Sequence, residues 1–269
     1  MHPILLHIGS AQHGYDLHTF GVLMVLGFAS GILLAMRRIN ASGIPGVNGD
    51  TVLDIAVWMI IIGLICARLL FVLIGWKDFS RDPASIVKVW EGGISFHGGL
   101  IGGIATLVVL AKRKKLPLLK LADLFAPSVM LAYAIGRVGC FFNGCCYGVP
   151  TTMAWGVRFF DNGRWTAPSH PTQLYATGMS LVFLGLLFWL DKRKSFDGQI
   201  AGWYLVLAGI ERFIMEIWRA GVTSDRVFMG FTDTQLWCVG IIICASTALV
   251  VGKTRSQGHQ NRMIKSVQI

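Results

Sequence analysis

The chain has 269 residues, 54% hydrophobic and only 14% charged, with a mean hydropathy of +0.61. Soluble domains carry roughly 25% charged residues, so the composition excludes a water-soluble globular protein and predicts an all-α polytopic membrane protein. A formal net charge of +10 would point to nucleic acid in a soluble chain, but here the basic residues have a topological explanation and no nucleic-acid partner is expected.

The N-terminal stretch MHPILLHIGSAQHGYDLH has no basic leader and no small-residue cleavage site, so the first span is expected to stay in the mature protein. Seven apolar stretches reach the roughly 20 residues that cross a bilayer as helix. They lie near 17–37, 52–75, 94–111, 121–140, 171–190, 199–218 and 232–251. Alternate connections hold fourteen of the 24 basic residues: Arg37 and Arg38; Lys112, Arg113, Lys114, Lys115 and Lys120; Lys192, Arg193 and Lys194; and Lys253, Arg255, Arg262 and Lys265 in the tail. By the positive-inside rule the N-terminus is outside and the C-terminus cytoplasmic. Residues 1–251 then form a membrane domain and 252–269 a basic cytoplasmic tail. The longest outer connection, about 141–170, is rich in Gly, Pro, Asn and Trp, which predicts a small folded outer head rather than a flexible linker.

Arg68, Arg137 and Arg212 interrupt three of the spans. A charge in hydrocarbon costs several kcal/mol, so it is kept where it pairs, lines a wet cavity or holds a ligand. At a rise of about 1.5 Å per residue, Arg68 and Arg212 fall about 10 Å and about 9 Å below the outer end of their spans and Arg137 about 5 Å. His97, at the start of the third span, falls at a similar level. Four polar groups from four helices therefore define a pocket for something anionic in the outer half of the membrane.

Three motifs surround these residues. WEGGISFHGGLIGG (90–103) places Gly98, Gly99, Gly102 and Gly103 along one helix face, open to another helix or to a ligand. His97 within it can exchange a proton near neutral pH. GRVGCFFNGCCYG (136–148) runs from a helix into a glycine-broken turn, where a guanidinium and free backbone N–H groups suit a phosphate. No GxxxxGK[ST] pattern occurs, so nucleotide hydrolysis has no support. ERFIMEIWR (211–219) puts Arg212, Glu216 and Arg219 on one helix face: Glu216 either neutralises Arg212 for burial or orients it for a substrate. Of six cysteines, Cys66, Cys238 and Cys244 lie in spans as small packing residues. Cys140, Cys145 and Cys146 cluster at the outer surface; a bridge there would use Cys140, because the vicinal pair is too close for ordinary geometry. Their spacing matches no zinc-site pattern, and neither metal nor cofactor is expected.

WEGGISFHGGLIGG, ADLFAPSVMLAYAIGRVGCFFNGCCYG, HPTQLY and ERFIMEIWR, in that order among seven spans, resemble the prolipoprotein diacylglyceryl transferase family over nearly the whole chain. The resemblance implies a seven-helix bundle with an outer head in the bacterial cytoplasmic membrane. It implies transfer of diacylglyceryl from phosphatidylglycerol to the lipobox cysteine thiol of a preprolipoprotein signal peptide, leaving a thioether and releasing glycerol phosphate. Carried over by position, the family's functional groups fall on His97, Arg137, Asn143, Gly148, Arg212, Glu216 and Arg219. His97, Arg137 and Arg212 are expected to be catalytic, and Asn143, Gly148, Glu216 and Arg219, together with Arg68 as a charge inside an apolar span, to bind substrate. The chain departs from the family pattern at Phe20 (commonly Tyr), Cys140 (Asn), Cys145 (an acid) and Ala176 (Glu). Two other functions compete with this one. A transporter or flippase for an anionic lipid or solute would also bury arginines but would not require this order of motifs. A silent paralogue would only bind lipid or signal peptide.

Overall fold

The computed structural model describes residues 4–10, 13–88, 93–161, 163–219, 226–228 and 230–267. Trp90, Glu91 and Gly92, which open the first motif, lie outside the described residues. Seven helices of 17 residues or more stand among those described: α1 (Thr19–Ser42), α2 (Gly49–Ile74), α4 (Phe96–Arg113), α5 (Leu118–Asn143), α6 (Thr172–Asp191), α7 (Gln199–Met215) and α8 (Asp233–Val267). The short α3 (Trp76–Phe79) follows α2. Five of them, α1, α2, α5, α6 and α8, are long and apolar enough to cross a membrane. Their apolar residues point outward: only 22% of the most apolar window of α2 is buried, and Leu73 and Ile74 are 66% and 76% exposed. Lipid, not water, is the solvent such a surface requires. The protein is a multi-pass membrane protein.

The helices match the seven expected stretches to within a few residues at most ends. The helix of the sixth stretch stops early because the chain tightens into a 3₁₀ turn at Glu216–Trp218. The last continues as helix to Val267, through what the sequence marked as a tail. Strand is present as well. Ile4–Ser10 (β1) and His13–His18 (β2) form an antiparallel hairpin, and Phe160–Asp161 (β3) with Arg164–Trp165 (β4), then Arg226–Phe228 (β5) with Phe231–Thr232 (β6), form two smaller ones.

The chain divides into two compact units, Ala35–Leu121 and Met1–Leu34 with Ala122–Ile269. In the first, α2 and α4 touch backbone to backbone. A Cβ on Gly98 would lie 2.4 Å from the Cys66 carbonyl oxygen, and one on Gly102 2.7 Å from the Cys66 Cβ. Helix packing therefore uses the glycine face of α4, which lets backbones approach where lipid gives no hydrophobic drive. Arg68, 8% exposed on α2, donates to the carbonyls of Ile86 (Nε, 2.9 Å), Gly93 (2.7 Å) and Ser85 (2.6 Å), with Phe71 and Phe79 against its guanidinium. It gathers the segment that leads into α4. His97 is exposed in the first turn of that helix.

In the second unit, the apolar core joins α5 (Ala126, Met130), α6 (Leu187) and α7 (Ile200, Leu207). Gly27 and Gly31, one turn apart on α1, face the carbonyls of Ala132 and Ser128 on α5, each with a Cβ-to-oxygen separation of 3.0 Å. At the other end of α5 the buried Asp123 carboxylate accepts from the backbone N–H groups of Gly198 (2.7 Å) and Ala201 (2.8 Å) and pairs with Lys194 (2.9 Å). It thus satisfies orphan donors at the start of α7 and complements its dipole.

Gly98→Val should lower the melting temperature of the detergent-solubilised protein, through an overpacking cost of roughly 1–3 kcal/mol. Gly103→Ala, with no atom within 4 Å of its Cβ, should leave the melting temperature unchanged or raise it.

Candidate functional site

The second unit brings together Arg137, Arg212, Glu216, Arg219, Asn143 and Gly148. Arg68 and His97 belong to the other unit. Arg137 lies six residues before the end of α5, about 9 Å, and Arg212 three before the end of α7, about 4.5 Å. Counted from the helix ends, the two distances are the reverse of those expected, because α5 runs on to Asn143 while α7 stops at Met215.

Charge balance shapes this site. Arg212 pairs with Glu216, whose carboxylate is fully buried, its second oxygen lacking a hydrogen-bond partner among the described residues. Glu211, 2% exposed, accepts from Ser180 Oγ on α6 at 2.8 Å. Arg137 stacks near the Tyr133 ring, 5.8 Å from its centroid, and its buried Nε has no partner among the described residues. Tyr133 and Glu211 each lie within electrostatic range of both Arg137 and Arg212. Arg219 is in range of Arg212, Glu216, Cys146 and Arg137. Three guanidinium groups here outnumber the two carboxylates, and Arg137 Nε, with no partner among the described residues, leaves donor capacity. An anion with several acceptor oxygens fits that surplus.

The turn after α5 is fastened from two sides. Thr172 Oγ1 donates to the Cys146 carbonyl (2.7 Å) and Gln173 Nε2 to the Cys145 carbonyl (2.7 Å). The Gly148 N–H donates to the His170 carbonyl (2.9 Å), and the Val149 N–H to the Trp218 carbonyl (2.8 Å). Gly148 and Arg219 form an antiparallel bridge. A Cβ on Gly148 would fall 2.4 Å from the Trp218 carbonyl oxygen, so glycine is required there for close approach of the backbones. HPTQLY and ERFIMEIWR are thus structural partners of the GRVGCFFNGCCYG turn. Beyond the turn the chain folds around Phe159, which is fully buried and stacked on Tyr147 at 4.9 Å. Asn143 is exposed beside Cys145. An apolar cleft of about 350 Å³ opens next to Trp218, between Met153, Trp155, Tyr175 and Met179. Tyr175 accepts from Trp155 Nε1 (2.8 Å) and lies 3.1 Å from His170 Nδ1.

Sequence reasoning assigned no role to Tyr133, Glu211, Ser180 or Cys146. Glu211 stood in a quoted motif, and a second acid beside Arg212 was the available signal. Cys146 follows the helix and sits among the thiols of Cys140 and Cys145, with Arg137 and Arg219 in range; these neighbours hold its pKa well below that of an ordinary thiol. Its thiolate therefore persists to lower pH than that of a free cysteine. Alkylation of Cys146 followed against pH should stay fast in mildly acidic buffer, where an ordinary thiol has slowed. Arg219→Gln, which removes one stabilising cation, should move the midpoint to higher pH.

The family model for prolipoprotein diacylglyceryl transferase matches residues 3–251. The phosphatidylglycerol–prolipoprotein diacylglyceryl transferase of Finegoldia magna is 35% identical over 232 residues, covering 86% of this chain and 89% of that protein. Its counterpart in Clostridioides difficile is 35% identical over 217 residues (81% and 83%), and that of Geobacillus kaustophilus 31% over 265 residues (94% and 93%). A match of this extent settles the assignment: the chain belongs to the prolipoprotein diacylglyceryl transferase family.

Proposed function

We propose that the protein transfers the diacylglyceryl group of phosphatidylglycerol to the lipobox cysteine thiol of a preprolipoprotein, at the outer face of the bacterial cytoplasmic membrane. The observation that carries this is the excess of guanidinium over carboxylate around Arg137, Arg212 and Arg219, in a chain of this family. In the reaction the bond between glyceryl carbon and phosphate oxygen breaks and a carbon–sulfur bond forms. Glycerol phosphate leaves with the bonding pair, so negative charge grows on its oxygens in the transition state. Guanidinium groups already oriented in a poorly hydrated site stabilise that charge without reorganising. Arg212, held by Glu216 through one nitrogen, keeps its other N–H groups for phosphate. Arg137 adds a second donor set. Asn143 and Arg219 border the same turn, and Gly148 serves the binding site by letting Arg219 approach.

The incoming thiol attacks as thiolate, and with an ordinary pKa of about 8.5 it must lose a proton. His97 is the base in this scheme and Arg68 shapes the segment that presents it. The apolar cleft beside Trp218 suits the hydrophobic part of a substrate.

Arg212→Lys, Arg137→Ala and His97→Gln should each reduce thioether formation from labelled phosphatidylglycerol and a lipobox peptide by about 10²–10³-fold. An ammonium at position 212 cannot reproduce the planar fork. Unimpaired transfer in all three variants refutes the scheme. The orientation, with 141–170 outside and the basic connections inside, has its own check. After chelation of metal, a membrane-impermeant maleimide should label Cys146 in intact cells, whereas labelling only after permeabilisation reverses the topology.

A further inference from the structure

Three thiols beside the guanidinium cluster have no part in the scheme above. Cys140 lies in the last turn of α5, and Cys145 and Cys146 lie in the turn that follows. Their sulfur atoms all fall within 4.8 Å of one another, although the spacing C-x₄-C-C resembles no familiar metal-binding pattern. The turn supplies what the spacing lacks. Gly144, at φ +73°, reverses the chain after the helix, and the Cys145 N–H returns to the Cys140 carbonyl at 3.2 Å. Cys146, at φ +62°, adopts a left-handed conformation that non-glycine residues rarely use. Gln173 and Thr172 then hold the Cys145 and Cys146 carbonyls, so the three-sulfur arrangement is built before any ligand arrives.

A tetrahedral thiolate site has metal–sulfur distances of about 2.3 Å, which corresponds to sulfur atoms about 3.8 Å apart. Only a small inward movement separates the present arrangement from that geometry. The surroundings discriminate between cations. Arg137 and Arg219, both in range of Cys146, repel a hydrated cation held by oxygen ligands. Three thiolates around a divalent ion, however, carry a net charge of minus one, which two guanidinium groups stabilise. Cys140 and Cys145 are half-buried and Cys146 is exposed, which leaves an access route and room for a fourth ligand from solvent or from the Asn143 amide.

We propose that Cys140, Cys145 and Cys146 form a trigonal thiolate site for a thiophilic d¹⁰ cation of the Zn²⁺ class, beside the guanidinium cluster. Binding forms three metal–sulfur bonds and releases the thiol protons to solvent, with no change of oxidation state.

The test uses the full-length, reduced protein in detergent, with Zn²⁺ and Cd²⁺ as probes. Stoichiometric Zn²⁺ should shield Cys140, Cys145 and Cys146 together from maleimide, and EDTA should restore their labelling. Cd²⁺ should produce a thiolate charge-transfer band. Cys146→Ser should weaken binding by at least about 100-fold, and Cys244→Ser should leave it unchanged. The protection experiment needs no substitution, so it decides the matter even where Cys146→Ser fails to fold. Equal maleimide labelling of the three thiols with and without Zn²⁺ overturns the proposal. So does a mass, for protein alkylated directly in membranes without reductant, that shows two of the three joined as a disulfide.

Discussion

A guanidinium that leaves water for the interior of a helix bundle must find compensation there, and the arrangement of α5, α6 and α7 follows from that requirement. Desolvation of each charge costs several kcal/mol unless partners and hydrogen bonds offset it. Glu216 offsets Arg212 directly. Glu211 is in turn held by Ser180, which fixes the facing surface of α6. The compensation is incomplete: three guanidinium groups face two carboxylates, and Arg137 Nε has no hydrogen-bond partner among the described residues. Such a residue of uncompensated charge is a standing cost in the resting protein that a bound phosphate would relieve.

The signature turn depends on the same helices. Its carbonyls are taken by Thr172 and Gln173 at the start of α6, and its glycine lies under the Trp218 carbonyl at the end of α7. The three motifs are far apart in the chain but interlock through main-chain atoms. This accounts for their joint presence better than separate contacts with a ligand would: change one, and the other two lose their geometry.

Much of this could be read before any coordinates, because charge inside apolar runs is a strong physical signal. Arg68, Arg137 and Arg212 stood out for that reason, and the seven helices followed from length and hydropathy. What stayed hidden depended on main-chain atoms or on the meeting of distant helices. Arg68 looks like the other two in sequence, yet its partners are carbonyls of 85–93, and a carbonyl has no residue-type signature. Glu211 adjoins Arg212 in the chain but turns about 100° away on the helix, toward Ser180 and Tyr133, which no spacing within one segment reveals. The exchanged depths of Arg137 and Arg212 came from helix ends, where a 3₁₀ turn at Glu216 and a continuation to Asn143 each shift the boundary by a few residues. The hairpin at Ile4–His18 joins strands without an Asn-Gly or Asp-Gly turn, the clearest short-range cue for one. The glycine face of α4 could have met a ligand or a helix, and only the closeness of Cys66 decided it.

Asp123 sits at the opposite end of α7 from Arg212, yet it governs how that arginine is aimed. By gripping the first N–H groups of the helix it sets both the axial position and the rotational phase of a stiff rod. A slip of a single residue at the gripped end would swing the distal guanidinium by more than a quarter turn. The aim of Arg212 is therefore anchored by a carboxylate at the far end of the same helix.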